Sequence, residues 1–295
     1  MRVLVTGGSG FIGRNLVESL RRDHEVFAPT HAELELTDAD SVRVWLKANR
    51  PDAIVHGAVK PGHRAATDLG GITESNLRMF FALAGDPDLC PRMVFLSSGA
   101  VYDAPHYLPK MPETYLGEHV PADANGFSKY VAARYIESVD HVVELRPFGV
   151  FGPHEDYSIR YVSNAICRAL LGLPITLRQD RRFDYVEVSD LVRVIEHFLQ
   201  RPRSVLEHSA YNVTPDDSVS LLDIARMVLD VSGADVPIEV GEGGAGVEYS
   251  GDNARLRVEM PGLGLTSLPE SVRHLCEWYA ARIDDIDRAA VVADY

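Results

Sequence analysis

Gly7, Gly10 and Gly13 recur at intervals of three in Val3-Leu4-Val5-Thr6-Gly7-Gly8-Ser9-Gly10-Phe11-Ile12-Gly13, between an apolar run and an amphipathic one. A glycine triplet alone is common, but one that follows a strand and opens a helix has a specific use. The first glycine permits a tight turn, the second lets a pyrophosphate approach the backbone, and the third lets helix and strand pack closely. The helix start then offers unpaired N–H groups and the positive end of a dipole to phosphate. Arg178, Arg181 and Arg182 form a second group, basic in an otherwise acidic chain. Three guanidiniums suit a diphosphate. They suit equally well a solvated turn with Asp180 and Asp184 as counter-charges.

Elements must position these groups. Strand patterns at 2–6, 24–28, 53–56, 93–97 and 141–146 alternate with helix patterns at 11–22, 40–49, 72–84 and 127–137. That rhythm predicts an α/β fold whose parallel sheet is covered by helices on both faces. Beyond Pro153 it loosens. Helices are expected at 162–171, 190–199, 221–231 and 268–281, with strands at 174–177, 183–188 and 210–213. Ser220 reads as the N-cap of the 221–231 helix. The glycine-rich stretch 241–251 reads as a loop, and the polar tail from Asp284 as loosely docked.

Composition narrows the partners. The 295 residues carry a net charge of −14, with 46% hydrophobic and 24% charged residues, which fits a globular protein and argues against nucleic acid. No run approaches the ~20 apolar residues that span a bilayer. Cys90, Cys167 and Cys276 are odd in number and not at metal-ligand spacing. No metal is expected, and a reducing, cytoplasmic location is.

The Gly-x-x-Gly-x-x-Gly spacing resembles the extended short-chain dehydrogenase/reductases, in particular the NAD-dependent epimerase/dehydratase family acting on nucleotide sugars. Further stretches carry the resemblance in order along most of the chain: Asp52-Ala53-Ile54-Val55-His56-Gly57-Ala58, Asn76, Phe95-Leu96-Ser97-Ser98-Gly99-Ala100-Val101-Tyr102, Gly126-Phe127-Ser128-Lys129, Leu145-Arg146-Pro147-Phe148-Gly149-Val150-Phe151-Gly152-Pro153, Arg182–Asp190 with Leu191, and Tyr211-Asn212-Val213. The resemblance implies a Rossmann-type, doubly wound parallel sheet with a smaller C-terminal substrate-binding lobe. Its division would be a dinucleotide-binding domain over 1–153, rejoined by 184–205, and a lobe over 154–183 and 206–295.

It also implies roles. Ser98 matches the serine that hydrogen-bonds the reacting oxygen. Lys129 matches the lysine that holds the nicotinamide ribose and lowers the pKa of a tyrosine four residues earlier. Here that position is Asn125, and an amide cannot supply the proton. Three readings stand: another group has taken the role, the residue is an introduced substitution, or the protein binds without turnover. The implied cofactor contacts are Gly7, Ser9, Gly10, Phe11, Ile12, Gly13, Thr30, His31, Leu36, Asp38, Ala58, Val59, Ser97, Lys129, Pro147, Phe148 and Val150. The implied substrate contacts are Lys60, Gly149, Asn164, Arg178 and Arg182. Asp38 reads equally as a helix N-cap, and His154 as a solvated loop histidine before it reads as a substrate contact.

The cofactor is expected to be NAD or NADP. After the second strand, Pro29-Thr30-His31 has neither the acidic residue of NAD sites nor the arginine of NADP sites. The missing carboxylate, by analogy with the reductases, favours NADP. Gly99 and Ala100 replace the acidic pair of sugar 4,6-dehydratases. Ala100 and Tyr161 replace the cysteine and histidine of the fucose-synthase-like branch, although 31–38 and 58–62 look most like that branch and the deoxysugar 4-ketoreductases. The expected activity is therefore reduction of a 4-keto-deoxysugar nucleotide, in a homodimer. The alternatives are a sugar-nucleotide 4-epimerase with bound NAD and a cofactor-binding protein without turnover.

Overall fold

The computed structural model describes residues 1–62 and 68–293. In chain order the elements are β1 (Arg2–Thr6), α1 (Phe11–Leu20), β2 (Glu25–Phe27), α2 (Ala39–Asn49), β3 (Ala53–His56), α3 (Ile72–Ala84), β4 (Met93–Leu96), α4 (Ala124–Ile136), β5 (Val142–Pro147), β6 (Gly149–Phe151), α5 (Tyr161–Leu170), β7 (Ile175–Asp180), β8 (Arg182–Phe183), β9 (Tyr185–Glu187), α6 (Val188–Leu199), β10 (Ala210–Val213), β11 (Val219–Ser220), α7 (Leu221–Ser232), β12 (Ile238–Ala245), α8 (Ala254–Glu259), α9 (Leu268–Ala280) and α10 (Arg288–Val292).

Six strands form one parallel sheet in the order β10-β5-β4-β3-β1-β2. The pleat sorts its side chains. Val3, Val5, Ala53, Val55, Val94, Leu96, Val143 and Leu145 pack with α1 and α6 on one face. Leu4, Ile54, Met93, Phe95 and Val142 pack with α2, α3 and α4 on the other. Both faces are apolar, as a parallel sheet covered on both sides requires. A separate core of α5, α7, α9 and β7 makes the smaller lobe, with Val162, Ile166, Ile224, Val228, Val272 and Leu275 buried in it.

The structure departs from the sequence expectations at four places. β10 pairs with β5 through Ala210↔Glu144 to Val213↔Pro147, so this part of the 206–295 segment joins the large sheet rather than the lobe. Its four residues are all buried, and the sheet edge beside β5 is where that apolar run is covered. The strand expected over 183–188 is two short strands, β8 and β9, which pair with β11 and β6. The glycine-rich stretch contributes to β12, paired in parallel with β7. Pairing there uses backbone groups, which glycine retains. Finally, the tail docks: Asp287 caps α10 and Val291 is buried in the lobe core.

Candidate functional site

The turn after β1 is built by glycine. Gly7 has φ +74°, and a Cβ there would meet the Ala58 nitrogen at 2.9 Å. Its carbonyl accepts from Gly10 N–H at 3.0 Å. A Cβ on Gly13 would lie 2.0 Å from that same carbonyl oxygen, so the helix can sit on the turn only because Gly13 has none. Gly10 occupies the N-cap of α1, and among the described residues no side chain caps this end and no acid stands in its first turn. Among the described residues the first N–H groups of α1 have no side-chain partner, the arrangement that suits an anion.

A cleft of about 680 Å³ opens at this turn, at the carboxyl ends of the strands. Gly7, Ser9, Gly10, Thr30, His31, Leu36, Ala58, Val59 and Lys60 line it, together with Leu34, Glu35 and Met79, which the sequence did not single out. Glycine turn, uncapped helix and cleft together fit a dinucleotide. Phe11, Ile12 and Gly13 form the first turn of α1 beside it. Asp38 does not line the cleft. Its carboxylate caps α2, accepting from Asp40 N–H at 3.0 Å and Ser41 N–H at 3.2 Å.

The end of the second strand is more acidic than the sequence suggested. Glu33 accepts from the N–H and hydroxyl of Thr30 at 2.7 and 2.9 Å, and Glu35 on the cleft wall pairs with His31 at 2.9 Å. The hydroxyl and N–H of Thr37 hold the Glu35 carboxyl below its ordinary range. The carboxylates come from the chain six and eight residues beyond the end of β2 at Phe27, so the expected lack of repulsion toward a 2′-phosphate is corrected.

Next to the cleft, and sharing Ala58 and Val59 with it, is a narrow crevice lined by Asn125, Lys129, His56 and Phe95. Asp123 caps α4, accepting from Gly126 N–H at 2.8 Å, so the helix begins before Asn125 and places it one turn from Lys129. Burial pushes the Lys129 ammonium down to about 8, against the opposing charge of Glu144. Burial and the Lys129 charge push His56 down to about 3, and its neutral ring meets the Thr6 hydroxyl at 2.8 Å. Ser98 stands two residues past the crevice wall. Its oxygen accepts from Ala100 N–H at 3.3 Å, and its proton has no acceptor among the described residues. Ser97 is buried, its hydroxyl unpartnered among the described residues. Pro147, Phe148 and Val150 do not line the cleft; Phe148 lies against Gly99 and Gly251.

On β5, Arg146 donates to Glu144 at 2.7 Å and to the Tyr102 hydroxyl at 2.9 Å, and Tyr102 donates to Asn212 at 3.1 Å. This buried chain ties the Ser98 segment to β10.

A second cavity, about 580 Å³, opens in the lobe between α5 and β7. Of the expected substrate contacts, Asn164 and Arg178 line it. Asn164 is spent on structure: its amide donates to Tyr157 and Val291 carbonyls and accepts from Arg168 at 2.9 Å. Arg178 is exposed and paired with Glu242 at 2.7 Å. Arg182 points away, donating to Ser218 Oγ at 2.9 Å. Arg181 and Arg160 line the cavity instead. The Arg181 guanidinium lies 4.5 Å from the Phe183 ring centroid, its Nε unpartnered among the described residues. Lys60 is held elsewhere, its ammonium on Asp68 at 2.6 Å and its N–H on Asn76 at 2.7 Å. Gly149 admits no side chain, since a Cβ would lie 2.5 Å from the Asp184 carbonyl. His154 pairs with Glu18 of α1 at 3.2 Å.

The sequence itself matches a known family. Residues 3–214 match a family model described as NAD dependent epimerase/dehydratase family. The chain is 26% identical over 261 residues to the GDP-6-deoxy-D-talose 4-dehydrogenase of Aggregatibacter actinomycetemcomitans, covering 82% of this chain and 84% of that protein. It is 28% identical over 282 residues to the dTDP-4-dehydro-6-deoxy-D-allose reductase of Streptomyces bikiniensis, with the same coverage of 82% and 84%. The fold superposes with TM-score 0.81 at 18% identity on a GDP-mannoheptose C4 reductase from Campylobacter jejuni with NADP bound, covering 94% of this chain and 98% of that one.

Proposed function

Because the chain belongs to the NAD dependent epimerase/dehydratase family, we propose that it reduces the 4-ketone of a nucleotide-activated 6-deoxysugar. The observation that carries this reading is the Lys129 crevice, which shares Ala58 and Val59 with the glycine-turn cleft. A bound nicotinamide dinucleotide supplies the hydride. The protein's own groups do the rest. The uncapped start of α1 and the Gly7 turn hold the pyrophosphate. Lys129 supplies positive charge and ribose contacts. Ser98 donates a hydrogen bond to the ketone oxygen as negative charge develops there. Arg181 and Arg160 neutralise the sugar-nucleotide diphosphate in the lobe cavity.

A 4-epimerase needs one group to take a proton and return it. Asn125 leaves no titratable side chain at that position of α4, which disfavours this alternative. The test is consumption of NADH and NADPH by the purified chain with GDP- and dTDP-linked 4-keto-6-deoxyhexoses. Turnover with either supports the reading. Binding of both ligands without turnover makes this a cofactor-binding protein, and cofactor that co-purifies and is not consumed points to the epimerase.

A further inference from the structure

Tyr249 lies 124 residues from Asn125 in sequence, in the segment between β12 and α8 that the motifs leave unassigned. Its backbone is pinned to the start of the lobe: its N–H donates to the Arg182 carbonyl at 2.9 Å, and its carbonyl accepts from Asp184 N–H at 3.2 Å. Its ring packs on Phe148 at 4.7 Å, Tyr107 at 5.1 Å and Phe183 at 5.9 Å between centroids. Phe183 lines the lobe cavity. At the other end, the Tyr249 hydroxyl oxygen stands 2.6 Å from where a Cβ would be on Gly99, the residue after Ser98. Any side chain at Gly99 would displace it. The tyrosine thus runs from the wall of the nucleotide cavity to the serine segment, and no described residue hydrogen-bonds its hydroxyl.

The geometry points to Tyr249 as the proton donor of the reduction, in place of the phenol that Asn125 lacks; this rests on the ketoreductase reading above. The balance is that of ketone reduction. The carbonyl carbon takes the hydride supplied by reduced nicotinamide, the carbonyl oxygen takes the Tyr249 proton, and the tyrosinate is reprotonated by water. Burial holds the Tyr249 phenol well above its ordinary value, so it enters each turnover protonated. A phenol held that high gives up its proton only as negative charge develops on the carbonyl oxygen beside it. Tyr107 is the nearest competitor, packed on the same Val101, Tyr102 and Phe148 cluster, but of the two it is the Tyr249 hydroxyl that stands among the atoms nearest Gly99.

The experiment uses the full chain and Tyr249→Phe, which keeps the ring and its packing. In steady-state reduction of a GDP- or dTDP-linked 4-keto-6-deoxyhexose, the variant should lose about 10²–10⁴-fold in kcat with little change in KM. Without cofactor, calorimetry should show the 4-hydroxy sugar nucleotide binding severalfold more weakly to the variant, and the nucleoside diphosphate alone binding equally to both. Wild-type kcat in Tyr249→Phe would overturn the assignment, as would a loss confined to Tyr107→Phe. A wild-type chain that binds both ligands yet never turns over would remove the ketoreductase reading itself, and the donor role with it.

Discussion

The Glu35 carboxylate lies 2.9 Å from Nε2 of His31 on the wall of the glycine-turn cleft. His31 is the side chain that would otherwise greet a 2′-phosphate. Paired with a carboxylate, it offers little net positive charge, and Thr30 is likewise occupied by Glu33. Cofactor choice is therefore an electrostatic question posed by two glutamates that follow the strand.

Glu35→Gln should raise the affinity for NADPH relative to NADH. Removing one charge near a phosphate in a partly screened cleft is expected to change the ratio several-fold, to about tenfold. Fluorescence titration of both cofactors against both proteins measures it, and an unchanged ratio would place the 2′-position away from Glu35.

The two arginines of the motif should separate cleanly. Arg181→Ala is expected to raise the Kd for a nucleoside diphosphate by roughly tenfold, the effect of losing one charge-assisted contact of about 1.5–3 kcal/mol discounted for partial exposure. Arg182→Ala should leave that Kd nearly unaltered and lower the melting temperature, because its guanidinium braces Ser218. Calorimetry and thermal melts on the two variants distinguish the roles.

Asn125→Tyr should restore activity in a Tyr249→Phe background. The new phenol would stand one turn before Lys129, whose charge lowers a neighbouring phenol's pKa. A gain of about 10²-fold over the single variant is expected. No gain would mean that the crevice, closed beside Asn125 by the Gly62 backbone, has no room for the ring.

Glu155 makes stability fall with pH. It is buried, accepts from the Ser163 hydroxyl, and burial raises its carboxyl from 4.5 to about 8. The folded state therefore holds a proton that the unfolded chain releases. The stabilisation is full below the unfolded value and is lost as pH climbs through the folded one, so the decline runs from about 4.5 to about 8. Glu155→Gln mimics the neutral form. Its melting temperature should decline less across that window than the wild type's, and parallel curves would show that Glu155 is ionised in the fold.

The dinucleotide half was legible in the sequence because its signals are local. The glycine turn follows from φ at Gly7 and contact at Gly13, the Ser220 cap from one hydroxyl and an N–H three residues on, and the sheet from short apolar runs alternating with amphipathic ones. The lobe was less so. Arg181 and Arg182 are adjacent, and successive residues of an extended chain face opposite sides. Pairing of Arg182 with Ser220 sets which one faces the cavity, and that partner is 38 residues away. Asn164 lines the lobe cavity and also braces the tail, because Val291 docks beside it.

The sequence by itself determined the family, the glycine turn between β1 and α1, the place of Lys129 one helical turn after Asn125 and the absence of a phenol at Asn125. These are identities and spacings within single elements, where backbone geometry translates directly into position. Only the tertiary structure decided what lies across from them. A hydroxyl from residue 249 reaches Gly99 because the tilted and edge-on rings of Phe148, Tyr107 and Phe183 hold it there. No periodicity relates residues so far apart in the chain; packing does.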